Sequence, residues 1–133
     1  MRAASMKRGA GAEGDTSPRT IPVPGNTNFT VTLINNEEWV RTADITIDAT
    51  VNSLDVPANS AVTKQFTSGS GEVTFSIKDS QYGLMKMPVD IALTPLGESG
   101  GVASFGTEKP VNELRSGYMD VFVHVAWDTV INT

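Results

Sequence analysis

From Asn28 onward the apolar residues of this chain recur at every second position, and that period leaves few folds open. "FTVTLI" sets Phe29, Val31 and Leu33 on one face against Thr30 and Thr32 on the other. "ADITIDATV" reads as one strand, with Ile45, Ile47, Ala49 and Val51 inward and Asp44, Thr46, Asp48 and Thr50 outward. "EVTFSI" repeats the pattern with Val73, Phe75 and Ile77. Turn residues separate these runs at intervals of about ten residues, as in "NNEEW", "DVPANS" and "SGSG". "SGSG" reads as the tight link of a hairpin from Phe66 to Ile77. "LMKMPVDIALTPL" is strand-like, with Pro88 marking an edge or a bulge. No segment carries a sustained helical period. The expectation is all-β, an antiparallel β-sandwich of immunoglobulin-like or jelly-roll-like type over residues 26–133. The 133 residues suffice for one such two-layer core and not for two.

Residues 1–25 cannot join that pattern by composition. Ala, Gly, Ser and Arg dominate as far as Ser17, and Pro18, Pro22 and Pro24 then impose an extended, helix-forbidding backbone. Ile21 and Val23 sit between these prolines as apolar anchors. The segment reads as an extended N-terminal arm, with Pro18, Ile21, Pro22, Val23 and Pro24 as interface residues. It carries a net charge of +2 and the remainder −7, giving the chain's −5. Four basic side chains, partly offset by Glu13 and Asp15, are too few to neutralise a packaged genome, so nucleic acid is not an expected partner.

The closing run "YMDVFVHVAWDTVI" departs from the rule that a solvent-backed strand is polar on one side. Met119, Val121, Val123, Val125 and Trp127 share one face, while Tyr118, Phe122, His124 and Ala126 make the other largely apolar too. Tyr118, Phe122 and His124 are therefore expected at a subunit contact or beneath the arm anchors. Before this run, residues 97–117 hold five glycines in a stretch too long for an ordinary connection. A short strand is expected there at Val102 to Phe105 and a helical turn at Val111 to Leu114.

Chemistry-bearing patterns are missing. His124 is the single histidine and there is no cysteine, so thiolate sites, disulfides and His-based catalysis lack partners. Asp44 and Asp48, on one strand, would stand about 13 Å apart, too far for a carboxylate pair. Asn35, Asn36, Glu37 and Glu38 show no calcium-loop spacing and read as a solvated turn. No catalytic residue, metal site or cofactor is expected, and no enzyme. The basic N-terminus lacks the apolar run of a Sec signal, and no stretch approaches the length of a membrane span.

The stretch "FTVTLINNEEW…ADITIDATVNSLDVPANSAVTKQFT…GEVTFSI" resembles immunoglobulin-like modules of the bacterial CARDB type in its strand and turn rhythm, over about 50 residues. As a class, a small cysteine-free β body with an arm also looks like virion structural proteins of the bacteriophage decoration or capsid type. That likeness implies a non-enzymatic virion subunit, assembled in a host cytoplasm, whose partners are other copies of itself and neighbouring capsid or tail subunits. The alternative is a binding or adhesion module that recognises carbohydrate or protein through loop 97–117, with Trp39 in "NNEEWV" as the recognition aromatic.

Overall fold

The computed structural model describes residues 16–79, 83–87, 91–95, 100–108 and 120–127. The strands, in chain order, are β1 (Arg19–Pro22), β2 (Asn28–Asn35), β3 (Arg41–Ile47), β4 (Thr50–Val56), β5 (Ser60–Thr67), β6 (Glu72–Asp79), β7 (Gly83–Leu84), β8 (Ala92–Pro95), β9 (Gly101–Thr107) and β10 (Val121–Trp127). One sheet runs β1-β6-β3-β4, with β7 also on β6, and the other runs β5-β2-β10-β9-β8. Every pairing is antiparallel. The chain is an all-β antiparallel sandwich.

Period two in the sequence becomes inside and outside in the structure. Phe29, Val31 and Leu33 of β2, Val73, Phe75 and Ile77 of β6, and Val121, Val123 and Val125 of β10 are all buried. The two sheets meet edge-to-face at Phe75 and Phe105, whose ring centroids are 6.2 Å apart at 75°. Trp127 closes one end of this core, over Gly101, where an added Cβ would fall 2.6 Å from the indole.

The opening strap does not reach away from the body. Residues 19–22 pair antiparallel with β6 in register Ile21↔Val73, and Ile21 and Val23 are buried in the chain's own core. Pro18 and Pro22 are exposed and Pro24 is half-buried. β6 accepts this proline-containing strand because β1 is an edge, where a missing N–H costs no ladder bond on the open side.

Two connections differ from the expected ones. The run read as a single strand folds back at Asp48 and Ala49, whose φ of 49° and 67° make a left-handed two-residue hairpin. Ala49 and Val51 are consequently exposed instead of inward. "SGSG" is no hairpin: β5 pairs with β2 and β6 with β3, so residues 68–71 cross from one sheet to the other. Residues 24–27 hold that crossing, since Ser68 Oγ donates to Pro24 O (2.6 Å) and Ser68 N donates to Thr27 O (2.9 Å). The stretch "LMKMPVDIALTPL" likewise divides, into β7 and β8, with Pro88 outside the described residues.

Asp48 ties the hairpin to the crossing. Its carboxylate accepts from Ser70 Oγ (2.6 Å) and Ser70 N (3.0 Å). Those bonds, the side-chain one first, hold its pKa below the ordinary 3.8 against a small opposing effect of burial. The stabilisation is present at neutral pH and is lost as pH falls below 3.8 through the folded-state value. A carboxyl-carbon NMR titration should place the Asp48 midpoint under 3.8, and Ser70→Ala, which keeps the backbone N–H bond, should raise it part of the way towards 3.8; a wild-type midpoint at or above that value contradicts the contact.

Candidate functional site

The sandwich has two ends of different character. At one end β3 turns into β4, β5 crosses to β6, and an open depression of about 400 Å³ lies between Ile47, Asn52, Phe66 and Thr67. Its polar groups are already engaged there. Asp48 serves Ser70, and Asn52 Nδ2 donates to Ile45 O (3.2 Å) and Thr50 O (3.4 Å).

At the opposite end, β2 finishes, β9 finishes and β10 begins, in register Asn35↔Val121↔Thr107. One residue further, Asp120 N donates to Thr107 O (3.0 Å) and Asn36 N donates to Asp120 O (2.9 Å). Glu108 exchanges backbone bonds with Lys86 (2.7 and 3.0 Å). Asp120 and Glu108 are both buried, which brings two carboxylates to the root of the segment joining β9 to β10.

Residues 36–40 carry the chain across this end from the sheet of β2 to that of β3. Asn35 organises the crossing. Its side-chain oxygen accepts from Glu37 N (2.9 Å), and its amide nitrogen lies 2.7 Å from Trp39 O, 3.1 Å from Val56 O and 3.2 Å from Pro57 O. Such side-chain-to-backbone bonds replace the ladder that a sheet-crossing segment cannot make. Beneath it Arg41, only 1% exposed, pairs with Glu37 Oε1 at 3.3 Å and donates to Val40 O at 3.1 Å. The Arg41 guanidinium also lies 5.8 Å from the Trp39 ring.

The result is a fixed aromatic plate. Trp39 is 56% exposed although its backbone carbonyl is bonded from below and its ring is backed by a cation. Asn36 and Glu38 of the same segment are exposed as well. An apolar plate beside amide and carboxylate groups suits a ligand with one apolar face and a rim of hydroxyls.

The residues expected at interfaces are not brought together. The arm anchors lie in the sheet of β6. Phe122 and His124 lie half-buried on the outer face of the other sheet, with Ser104 Oγ 2.8 Å from His124 Nδ1. Tyr118, the helical turn at Val111 to Leu114 and most of loop 97–117 fall outside the described residues; the part that is described is mainly β9. Sequence reasoning passed over Arg41 and the Glu108–Asp120 root. Arg41 carried a usable signal, four residues after Glu37 at the start of an alternating run. Among the described residues, no cluster of three or more His, Cys, Asp or Glu could hold a metal ion.

The fold is similar to that of three solved bacterial lectins. Chromobacterium violaceum lectin CV2L, solved in complex with alpha-methyl-fucoside, matches with a TM-score of 0.68 and 22% identity over 84% of this chain and 96% of its own. The Ralstonia solanacearum high-affinity mannose-binding lectin matches at 0.67 and 20% identity, over 84% of this chain and 96% of its own. The C-terminal domain of lectin BC2L-C from Burkholderia cenocepacia matches at 0.68 and 19% identity, over 86% of this chain and all of its own. No protein-family model and no curated protein matches the chain.

These likenesses overturn the expected resemblance to virion decoration or capsid proteins, and with it the virion location and capsid role. They also replace the CARDB-type resemblance. The physical reason is common to both errors. Strand rhythm reports a sandwich, and sandwiches with unrelated functions share that rhythm.

Proposed function

We propose that this chain is a non-enzymatic carbohydrate-binding protein that takes hexopyranosides of the fucose or mannose class at the end of the sandwich built by residues 35–41. The observation that carries this reading is the shared fold with three bacterial lectins over nearly their whole lengths. Trp39 supplies the stacking surface, held by Asn35 below and Arg41 behind. Asn36 and Glu38 of the same segment offer hydroxyl partners.

Titration calorimetry of the full chain with alpha-methyl-fucoside, alpha-methyl-mannoside and a galactoside control tests it. Saturable heat is expected with the first two. Trp39→Ala should weaken binding about tenfold or more, the equivalent of ~1.4 kcal/mol. Absence of binding to every sugar at millimolar concentration sinks the reading. Undiminished binding in Trp39→Ala removes Trp39 from the site.

A further inference from the structure

The two flanks of the sandwich are finished differently. On one, Lys86 and Glu108 exchange backbone bonds and Met85 and Met87 are fully buried, so the layers are joined. On the other, β4 ends one sheet and β5 ends the second, and among the described residues no hydrogen bond joins these two strands. Ile47, Leu54, Val62 and Phe66 stay half-buried along this open flank. At its end opposite residues 35–41 lies the depression of about 400 Å³, between the start of β4 and the finish of β5.

The bonds that engage Asp48 and Asn52 hold these side chains without using all of their atoms. Ser70 bonds only Oδ1 of Asp48, and Asn52 uses only its Nδ2. Among the described residues, Asp48 Oδ2, Asn52 Oδ1 and the Thr50 hydroxyl make no hydrogen bond. Gly69, which lines the same depression, makes room for one of them, since a Cβ there would collide with Asp48 Oδ2. Phe66 is held as well, its ring stacked on buried Phe29 with centroids 5.7 Å apart at 26°. A ligand that engages such fixed groups does not have to order them first.

The groups on offer select the ligand. The free oxygens of Asp48 and Asn52 accept and cannot donate, which excludes anions and calls for O–H or N–H donors. Ile47 and Phe66 call for an apolar surface alongside. An organic cation meets both demands, but Lys64 Nζ already lies 5.7 Å from the Phe66 centroid and repels a second positive charge. A neutral pyranose meets them without that conflict, with C–H groups toward the apolar wall and hydroxyls toward the acceptors.

We propose that the depression lined by Ile47, Asp48, Thr50, Asn52, Phe66 and Gly69 is a second carbohydrate site, selective for neutral pyranosides. It stands on this end's own groups and does not rest on the reading of residues 35–41. With that site, one chain carries a sugar at each end of its sandwich, roughly 20 Å apart by strand length.

Proton–nitrogen NMR titration of the full chain carrying Trp39→Ala, with alpha-methyl-mannoside and methyl beta-glucoside, reads this end alone. Saturable shifts are expected at the amides of Thr50, Asn52, Phe66 and Gly69, and choline and methyl glucuronide should leave them unmoved. Phe66→Ala should weaken binding about tenfold or more. Thr50→Val keeps the shape of an exposed side chain and should weaken it about fivefold through one lost hydrogen bond, so the test stays sound if Phe66→Ala unfolds. No saturable shift at these amides with either neutral sugar at tens of millimolar overturns the proposal, and shifts confined to residues 35–41 of the wild type do so while leaving that site standing. Saturation by choline in place of sugar overturns the ligand class. Binding that neither Phe66→Ala nor Thr50→Val diminishes places the sugar elsewhere.

Discussion

Phe75→Ala is expected to cost about 3–5 kcal/mol of folding stability and to lower the melting temperature by roughly 10–20 °C. Phe75 is fully buried on the central part of β6, paired to Ile45 on one side and Arg19 on the other. Its ring also meets Phe105 from the opposite sheet. Truncation removes the edge-to-face contact and leaves a void between two sheets whose backbones are held apart by their own ladders, so the cavity cannot collapse. Chemical denaturation of wild type and variant measures the difference. A loss under about 1 kcal/mol would mean that the sheets close over the gap, or that the two rings do not meet.

The second large effect concerns Arg41 and Glu37, and its value lies in an asymmetry. Glu37→Ala takes one carboxylate away from a guanidinium held in the interior, with an expected cost of about 3 kcal/mol. Arg41→Met removes the charge and keeps most of the volume, and should change stability by less than about 1 kcal/mol. Glu37, at 12% side-chain exposure against 1% for Arg41, lies nearer to solvent and can recover water when its partner is gone. Equal losses in the two variants would show that the pair acts through packing alone. Arg41→Met should still weaken sugar binding, because the plate of Trp39 loses the cation behind it.

Core membership was readable within single strands, though not for Ala49 and Val51 at the β3–β4 turn or for Ile21 and Val23 of the strap. Every inward position assigned to the Phe29, Val73 and Val121 runs is buried among the described residues; Met119 lies outside them. Partner choice was not. The alternation through Asp48 and Ala49 continues without interruption, and only the left-handed backbone there shows that the strand has turned back. "SGSG" has hairpin composition, yet Ser68 is claimed by Pro24 and Thr27, more than 40 residues earlier, and the link crosses between layers. The strap of prolines advertised an extended conformation correctly, but not that β6 had a free edge to receive it.

The candidate site shows the same division more sharply. Trp39 stood out in the sequence as the aromatic a recognition surface would use. Its exposure depends on Asn35 bonding beneath it and on Arg41 turning inward at the start of β3. Glu108 and Asp120 are separated by a long glycine-bearing stretch and carry no local pattern; antiparallel pairing of β9 with β10 brings them together.

By itself, then, the sequence determined that the layers are built from strands and which side chains of the Phe29, Val73 and Val121 runs leave water. Hydrophobic periodicity is a local property, and each strand carries its own copy of it. Tertiary structure alone decided which strands are neighbours, where the chain changes sheet, and which end presents a supported aromatic, because those outcomes follow from hydrogen bonds between residues far apart in the chain.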